Sequence, residues 1–159
     1  MATIPLSRGL VALVDDEDLF LVAGKKWHVS SRGYACRHEG RRPTREYVRM
    51  HRLILGTPNG VSVDHINGDR LDNRRANLRI ATQFQNVGNM RLPSHNTSGF
   101  KGVSWDRANK KWRSVIHPLG RQLTLGRFDD SRDAARVYDE AAIKYFGPFA
   151  RTNQMMGLL

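Results

Sequence analysis

Between Val61 and Met90 the chain switches from short apolar runs to polar breaks and back, in an order that few small folds accept. Val61-Ser62-Val63 is a short strand that ends on the pair Asp64-His65, and Asn67-Gly68-Asp69 has the chemistry of a turn. Asn77–Thr82 suits a return strand, and Gln83–Met90 a helix. Folding that helix back onto the hairpin brings Asn86 towards Asp64. Asp64 then offers an anionic oxygen and Asn86 a neutral carbonyl oxygen, a pair suited to a hard divalent ion, Mg²⁺ first with Mn²⁺ as a substitute. His65 is better kept off the metal, since a neutral imidazole with an ordinary pKa of ~6.5 takes a proton from water at neutral pH. A calcium-loop reading of Asp64, Asn67, Asp69 and Asp72 fails on spacing and lacks the terminal Glu.

Charge narrows the partners rather than the fold. The 159 residues hold 26 Lys+Arg against 15 Asp+Glu, a net charge of +11. The excess is shared between residues 1–90 (14 against 9) and 91–159 (12 against 6), so both halves are candidates to touch phosphate. One cysteine, Cys36, makes no internal disulfide, and no Cys/His set has zinc-ligand spacing. No apolar run approaches the ~20 residues of a membrane span, and the first residues lack a signal-peptide core. A cytoplasmic protein, in a bacterial cell or a phage-infected host, is the expectation.

Upstream of the Asp-His pair, residues 9–55 read as strands with one or two short helices. Leu10–Val14 is an apolar run, and the acids Asp15–Asp18 before Leu19-Phe20-Leu21-Val22 read as a helix start rather than a metal site. Lys26–Val29 and Tyr34–Arg37 read as strands around a turn at Ser30–Gly33. Glu39–Arg45 is a basic loop whose Arg41 and Arg42 would lie along a phosphate backbone. Val48–Leu55 reads as a strand passing into a short helix stopped by Gly56, in which the spacing of His51 with Ile54 and Leu55 favours packing over catalysis.

Met90–Gly99 is polar, breaker-rich and without period, hence a linker. Beyond it, Phe100–Arg107, Lys111–His117 and Gln122–Phe128 read as an antiparallel meander, and Ser131–Phe146 as a helix with Ala134, Tyr138, Ala141, Ala142 and Tyr145 on one face. Alternation sends Val103, Trp105, Ile116, Leu123 and Leu125 towards that helix, with Trp112 among them. The opposite face carries Ser104, Asp106, Arg113, Val115, His117, Gln122 and Thr124, rimmed by Arg107, Lys110, Lys111, Arg121 and Arg127. Such a face fits a major groove, or is an ordinary solvated surface.

Asp-His, a glycine turn, Leu-Asp-Asn-Arg-Arg, Asn-Leu-Arg and a final Asn occur in that order over roughly residues 47–90. This stretch resembles the HNH (ββα-metal, His-Me finger) endonucleases, specifically the homing branch whose third letter is Asn. The resemblance implies His65 as the base, Asn77 as the residue that ties the loop and holds the histidine, and Asp64 and Asn86 as the metal ligands. Arg70, Arg74, Arg75 and Arg79 surround that site as phosphate contacts or as solvated surface. Phe100-Lys101-Gly102-Val103-Ser104-Trp105, Leu125-Gly126-Arg127-Phe128, Tyr138-Asp139-Glu140-Ala141-Ala142 and Phe149–Asn153 resemble the APETALA/ethylene-response-factor DNA-binding domain, with Lys101 among its DNA contacts. The expected fold is therefore α+β. A nuclease domain over 1–90, with its metal finger at about 60–90, precedes a linker over 91–98. A three-stranded sheet packed on one helix follows over 99–154, and 155–159 form a tail. The expected activity is metal-dependent hydrolysis of double-stranded DNA by a monomer or weak dimer with no obligate protein partner and no membrane. Two rivals stand beside it, a DNA-binding regulator with a vestigial nuclease half and a nuclease of low specificity that accepts RNA.

Overall fold

The structure, a computed structural model, describes residues 1–41, 46–58 and 60–159. It is mixed α+β, with small sheets and few helices, and divides into two compact units, Met1–Ala81 and Thr82–Leu159.

In the first unit, strand β1 (Ala2–Pro5), which the sequence reading missed, pairs antiparallel with β2 (Val11–Val14). The acids after β2 open a 3-10 turn at Asp16–Asp18 that runs directly into α1 (Leu19–Val22). A second sheet follows, β3 (His28–Val29), β4 (Ala35–Glu39) and β5 (Glu46–Arg49) in that spatial order. Strand β5 passes straight into α2 (Met50–Leu55), which stops where Gly56 takes a left-handed φ of 60° that a side chain would resist. The last hairpin pairs β6 (Ser62–His65) with β7 (Leu78–Ala81). Ile4, Val14, Val22, Trp27, Met50, Ile54 and Leu78 form one core beneath these elements. The loop between β6 and β7 is not a free excursion. The backbone N–H of Leu13 donates to Leu71 and that of Asn73 donates to Leu13, so β2 holds the loop by main-chain bonds.

In the second unit α3 (Gln83–Gly88) is capped by Thr82, whose side chain accepts from the Gln85 N–H while the Gln85 side chain accepts from Thr82. Strands β8 (Val103–Asp106), β9 (Lys111–Ile116) and β10 (Leu123–Phe128) form an antiparallel sheet in the order β10-β9-β8, with a bulge between Thr124 and Gly126. Helix α4 (Ser131–Phe146), capped by Asp130, lays its buried Ala134, Ala135, Tyr138, Ala141, Ala142 and Phe146 on that sheet. Small residues let the helix backbone approach closely.

Several expectations change here. Tyr145 is 38% and Trp105 46% exposed, and Leu123 is also exposed; Trp105 packs its ring against Trp112 rather than entering the core. The 91–98 stretch is stitched to the sheet, with Asn96 Nδ2 donating to the Phe100 carbonyl and Ser98 Oγ to the Val103 carbonyl. Leu159 packs against the core of the second unit, so the last residues are not a loose tail. The first compact unit ends at Ala81 and the second begins at Thr82, whereas the sequence places the domain boundary at 90/91; α3 groups with the C-terminal unit. Among the described residues no helix is long and apolar enough to cross a membrane.

Candidate active site and nucleic-acid interface

Strand β6 ends on Asp64 and His65, which are 7% and 4% exposed. Asp64 pairs in register with Arg79 across the hairpin, so both side chains share a face. Arg79 Nε and Nη2 each lie 2.8 Å from Asp64 Oδ2. A buried carboxylate is tolerated because this guanidinium compensates it and fixes its rotamer.

His65 sits in an aromatic nest. His51, from α2, meets it edge-on at 5.1 Å between ring centres, and Tyr34 lies 5.2 Å from His51 and 5.9 Å from His65. His65 Nε2 is 3.5 Å from Asn73 Oδ1, a long polar contact, and Asn73 is itself fully buried and anchored by Nδ2 donating to the Leu71 carbonyl. Burial pushes the His65 pKa below the ordinary histidine value, with Asn73, Asp64 and Asp69 opposing the shift. Burial also drives His51 down to about 3, helped by His65, Arg49 and Arg52, and its Nδ1 is buried without a hydrogen-bond partner. Both imidazoles are therefore neutral at neutral pH. Sequence reading gave His51 a packing role, and what it packs against is the candidate base; it did not identify Asn73 at all. The only signal for Asn73 was its place in the Leu-Asp-Asn-Arg run, which carries no information about long-range pairing.

Asn77 is the knot of the β6–β7 loop. Its Oδ1 accepts from the Asn67 N–H at 2.9 Å, and its Nδ2 donates to the Asp72 carbonyl at 2.8 Å. Its own carbonyl accepts from the Ile66 N–H, immediately after His65. Gly68, at φ 71°, lets the turn close with its N–H on the His65 carbonyl.

The four arginines around this loop are engaged within the protein. Arg74 Nε and Nη2 grip Asp72 at 2.8 and 2.7 Å, holding that carboxyl below the usual carboxylate range. Arg75 grips Asp18 through Nε and Nη2, and its N–H donates to Asp15. Asp15, Glu17 and Asp18 come close enough to resemble a cation site, and the Arg75 guanidinium pairs with Glu17 and Asp18. Arg70 donates to the Arg32 carbonyl and lies over the Tyr34 ring at 4.9 Å. Arg79 is the partner of Asp64. Arg41 is exposed, and Arg42 lies outside the described residues.

The second unit presents a different surface. Register places Ser104, Arg113 and Arg127 in one row and Val115 beside Thr124 in the next, so Arg127 belongs to the face itself and not to its rim. Arg127 pairs with Asp106 at 2.8 Å and, with Asn109, holds that carboxyl at about 2. Lys111 pairs with Asp129. His117, Arg121, Gln122 and Thr124 are exposed, as are Arg107 and Lys110. The Nε of Arg113 is buried without a partner. A groove of about 360 Å³ opens here, with Arg113, Val115, His117 and Gln122 on one side and Met90 and Pro93 on another. Lys101 is a correction. It was expected to contact DNA, but it is 7% exposed and its Nζ donates to the carbonyls of Gly88 and Arg151.

The profile of the HNH endonuclease family matches residues 49–87, from the last residue of β5 into α3. Protein 3.8 of Escherichia phage T7 is 36% identical over 108 residues, covering 67% of this chain and 88% of that protein. An uncharacterized HNH endonuclease of Acanthamoeba polyphaga mimivirus is 26% identical over 149 residues, covering 93% of this chain and 77% of the viral one. The C-terminal part is similar to an AP2-like ethylene-responsive transcription factor of Arabidopsis thaliana, 40% identical over 67 residues, which is 42% of this chain and 14% of the plant protein. No solved structure matches significantly. The buried Asp-His pair at the end of β6 lies inside the matched span, and the chain belongs to the HNH endonuclease family.

Proposed function

We propose that this endonuclease is metal-dependent and of the homing type, hydrolysing phosphodiester bonds in duplex DNA that its C-terminal sheet holds. The observation that carries this reading is the end of β6, where a carboxylate fixed by Arg79 adjoins a buried imidazole kept neutral among Asn73, His51 and Tyr34.

Asp64 and Asn86 are the residues that would hold a divalent cation; the donors are hard oxygens, which suits Mg²⁺, with Mn²⁺ as a substitute. When bound, such an ion stabilises charge on the scissile phosphate and the leaving oxygen. His65 accepts the proton of the attacking water, a role that requires the unprotonated ring that burial favours. Asn77 holds the loop that follows His65, so the imidazole meets water and phosphate from a fixed direction. Arg41 and Arg42 contribute phosphate contacts in the first unit. Arg70, Arg74, Arg75 and Arg79 present to phosphate only what their internal partners leave available.

In the second unit Arg113, His117, Gln122 and Thr124 face base edges, while Arg107, Lys110, Lys111, Arg121 and Arg127 grip phosphates. Support comes from the AP2-like relatives, named as transcription factors. The protein acts as a monomer or weak dimer, without an obligate partner, in the cytoplasm of a bacterial cell or phage-infected host.

The test is incubation with Mg²⁺ and duplex DNA from the region flanking its own gene, with the ends mapped. Discrete ends that vanish in His65→Ala and without metal are the expected result. Cleavage by His65→Ala at the wild-type rate would remove the mechanism.

A further inference from the structure

We propose that the C-terminal unit positions Asn86, because Gly88, Phe146 and Lys101 build helix α3, and with it Asn86, into that unit. The inference rests on the reading of Asn86 as a metal ligand. Helix α3 is six residues long, too short to be stable by itself, so its position is set by what it packs on. Its first turn is fixed by Phe84, whose ring lies 5.0 Å from that of Phe146 at the end of α4. Its last residue is fixed twice. Gly88 lies so close to Phe146 that an added Cβ would stand 2.6 Å from the ring. The Gly88 carbonyl also accepts from Lys101 Nζ at 2.8 Å and from the Arg151 N–H at 3.1 Å.

Lys101 precedes β8 and is an expensive residue to bury. Its pKa is lowered to about 8, chiefly by burial, and its Nζ takes a second carbonyl, that of Arg151, at 3.1 Å. An apolar residue would fill that space at lower cost, whereas an ammonium joins the end of α3 to the start of the sheet and the chain after α4. Asn86 stands between the Thr82 cap and this clasp, so the backbone that carries it is held at both ends by the C-terminal unit. Gly88, Phe146 and Lys101 are positioning residues in this account.

The experiment uses the full chain and five variants: Asn86→Ala, Gly88→Ala, Lys101→Met, Gly88→Ala combined with Asn86→Ala, and Gly88→Ala combined with Phe146→Leu. Three quantities are read: duplex affinity without metal, single-turnover cleavage across a Mn²⁺ titration, and amide hydrogen exchange over residues 83–88. Gly88→Ala and Lys101→Met should speed exchange in α3 and keep affinity within about twofold. They should lower the maximum rate by about 10- to 100-fold and raise the Mn²⁺ midpoint as Asn86→Ala does. Adding Gly88→Ala to Asn86→Ala should cost little more, since both act through one group. Phe146→Leu should restore part of the loss in Gly88→Ala by making room for the methyl group. Lys101→Met keeps the apolar stem and serves where Gly88→Ala does not fold. If both loosen α3 yet cut with the wild-type rate and midpoint while Asn86→Ala does not, the positioning role is wrong and the ligand assignment survives. If Asn86→Ala itself cuts normally, the ligand assignment falls and this inference with it.

Discussion

At the scale of single residues, the site is a set of buried polar groups whose charges are individually answered. Arg79 answers Asp64, and Arg79→Ala should leave a buried carboxylate short of donors. Urea unfolding should show a loss of about 1–3 kcal/mol, with Arg79→Lys recovering part of it. His65→Ala should lower cleavage by ~10²–10⁴-fold with duplex affinity nearly unchanged, read by single-turnover kinetics beside a binding titration. His51 gives a pH signature. Its folded pKa of about 3 lies below the unfolded value of 6.5, so between those values the unfolded chain binds the extra proton. Stability is then full above about 6.5 and falls as pH drops towards 3, by up to ~1.4 kcal/mol per pH unit for one such group. Denaturant unfolding of His51→Gln against the parent between pH 4 and 7.5 isolates that share from the carboxylates, because the substitution should flatten the slope. An unchanged slope would show that His51 is not buried neutral. The Asp-His pair was legible in the sequence because adjacent residues at a strand end carry their own context. Asn73 was not, since its approach to His65 depends on β2 holding the loop.

At the scale of elements, local chemistry and tertiary packing each decided a share. The strand β5, helix α2 and stop at Gly56 followed from apolar spacing and a residue free to take positive φ. The meander and α4 followed from alternation and from acids placed at the helix start. Alternation failed for Trp105 and Leu123, because the sheet is small and α4 covers only part of its face. A one-residue error is more costly at Gly102, just before β8. Its φ is 76°, and a Cβ there would stand 2.0 Å from the Tyr138 ring. Gly102→Ala should therefore destabilise the second unit by about 2–4 kcal/mol, combining backbone strain with overpacking. Thermal unfolding followed through the near-UV signal of the tryptophans reads this. A stability within 0.5 kcal/mol, on the order of an ordinary surface change, would contradict that contact.

At the scale of the whole molecule, the net charge of +11 and the two basic halves predict steep salt dependence. Each phosphate neutralised contributes a slope of roughly −0.9 in log K against log salt. Arg121→Ala and Lys110→Ala should weaken binding and shallow that slope, whereas Arg113→Ala and Gln122→Ala should change site preference, read with matched and scrambled duplexes over a salt series. Equal effects on both duplexes from all four would remove base reading from the sheet. Division of the chain gives a sharper test. A fragment of residues 1–92 carries α3 without Phe146, Lys101 and Arg151, so it should lose cleavage. A fragment of residues 82–159 should bind duplex DNA without cutting it.

The sequence by itself determined the order of elements after β1, the class of chemistry and the basic character, because periodicity, turn residues and adjacent side chains are local properties of a chain. It also placed Asp64 and His65 at a strand end and Asn86 on a helix, whereas Asn77, read as the first residue of the return strand, lies in the 3-10 turn just before β7. Only the tertiary structure decided that Arg79 compensates Asp64, that His51 and Asn73 surround His65, that Lys101 is an internal clasp, and that α3 belongs with the C-terminal unit. These outcomes depend on which buried groups find partners across long sequence separations. A lysine or arginine looks the same in sequence whether its charge faces a phosphate or is consumed by a carbonyl or carboxylate of its own protein.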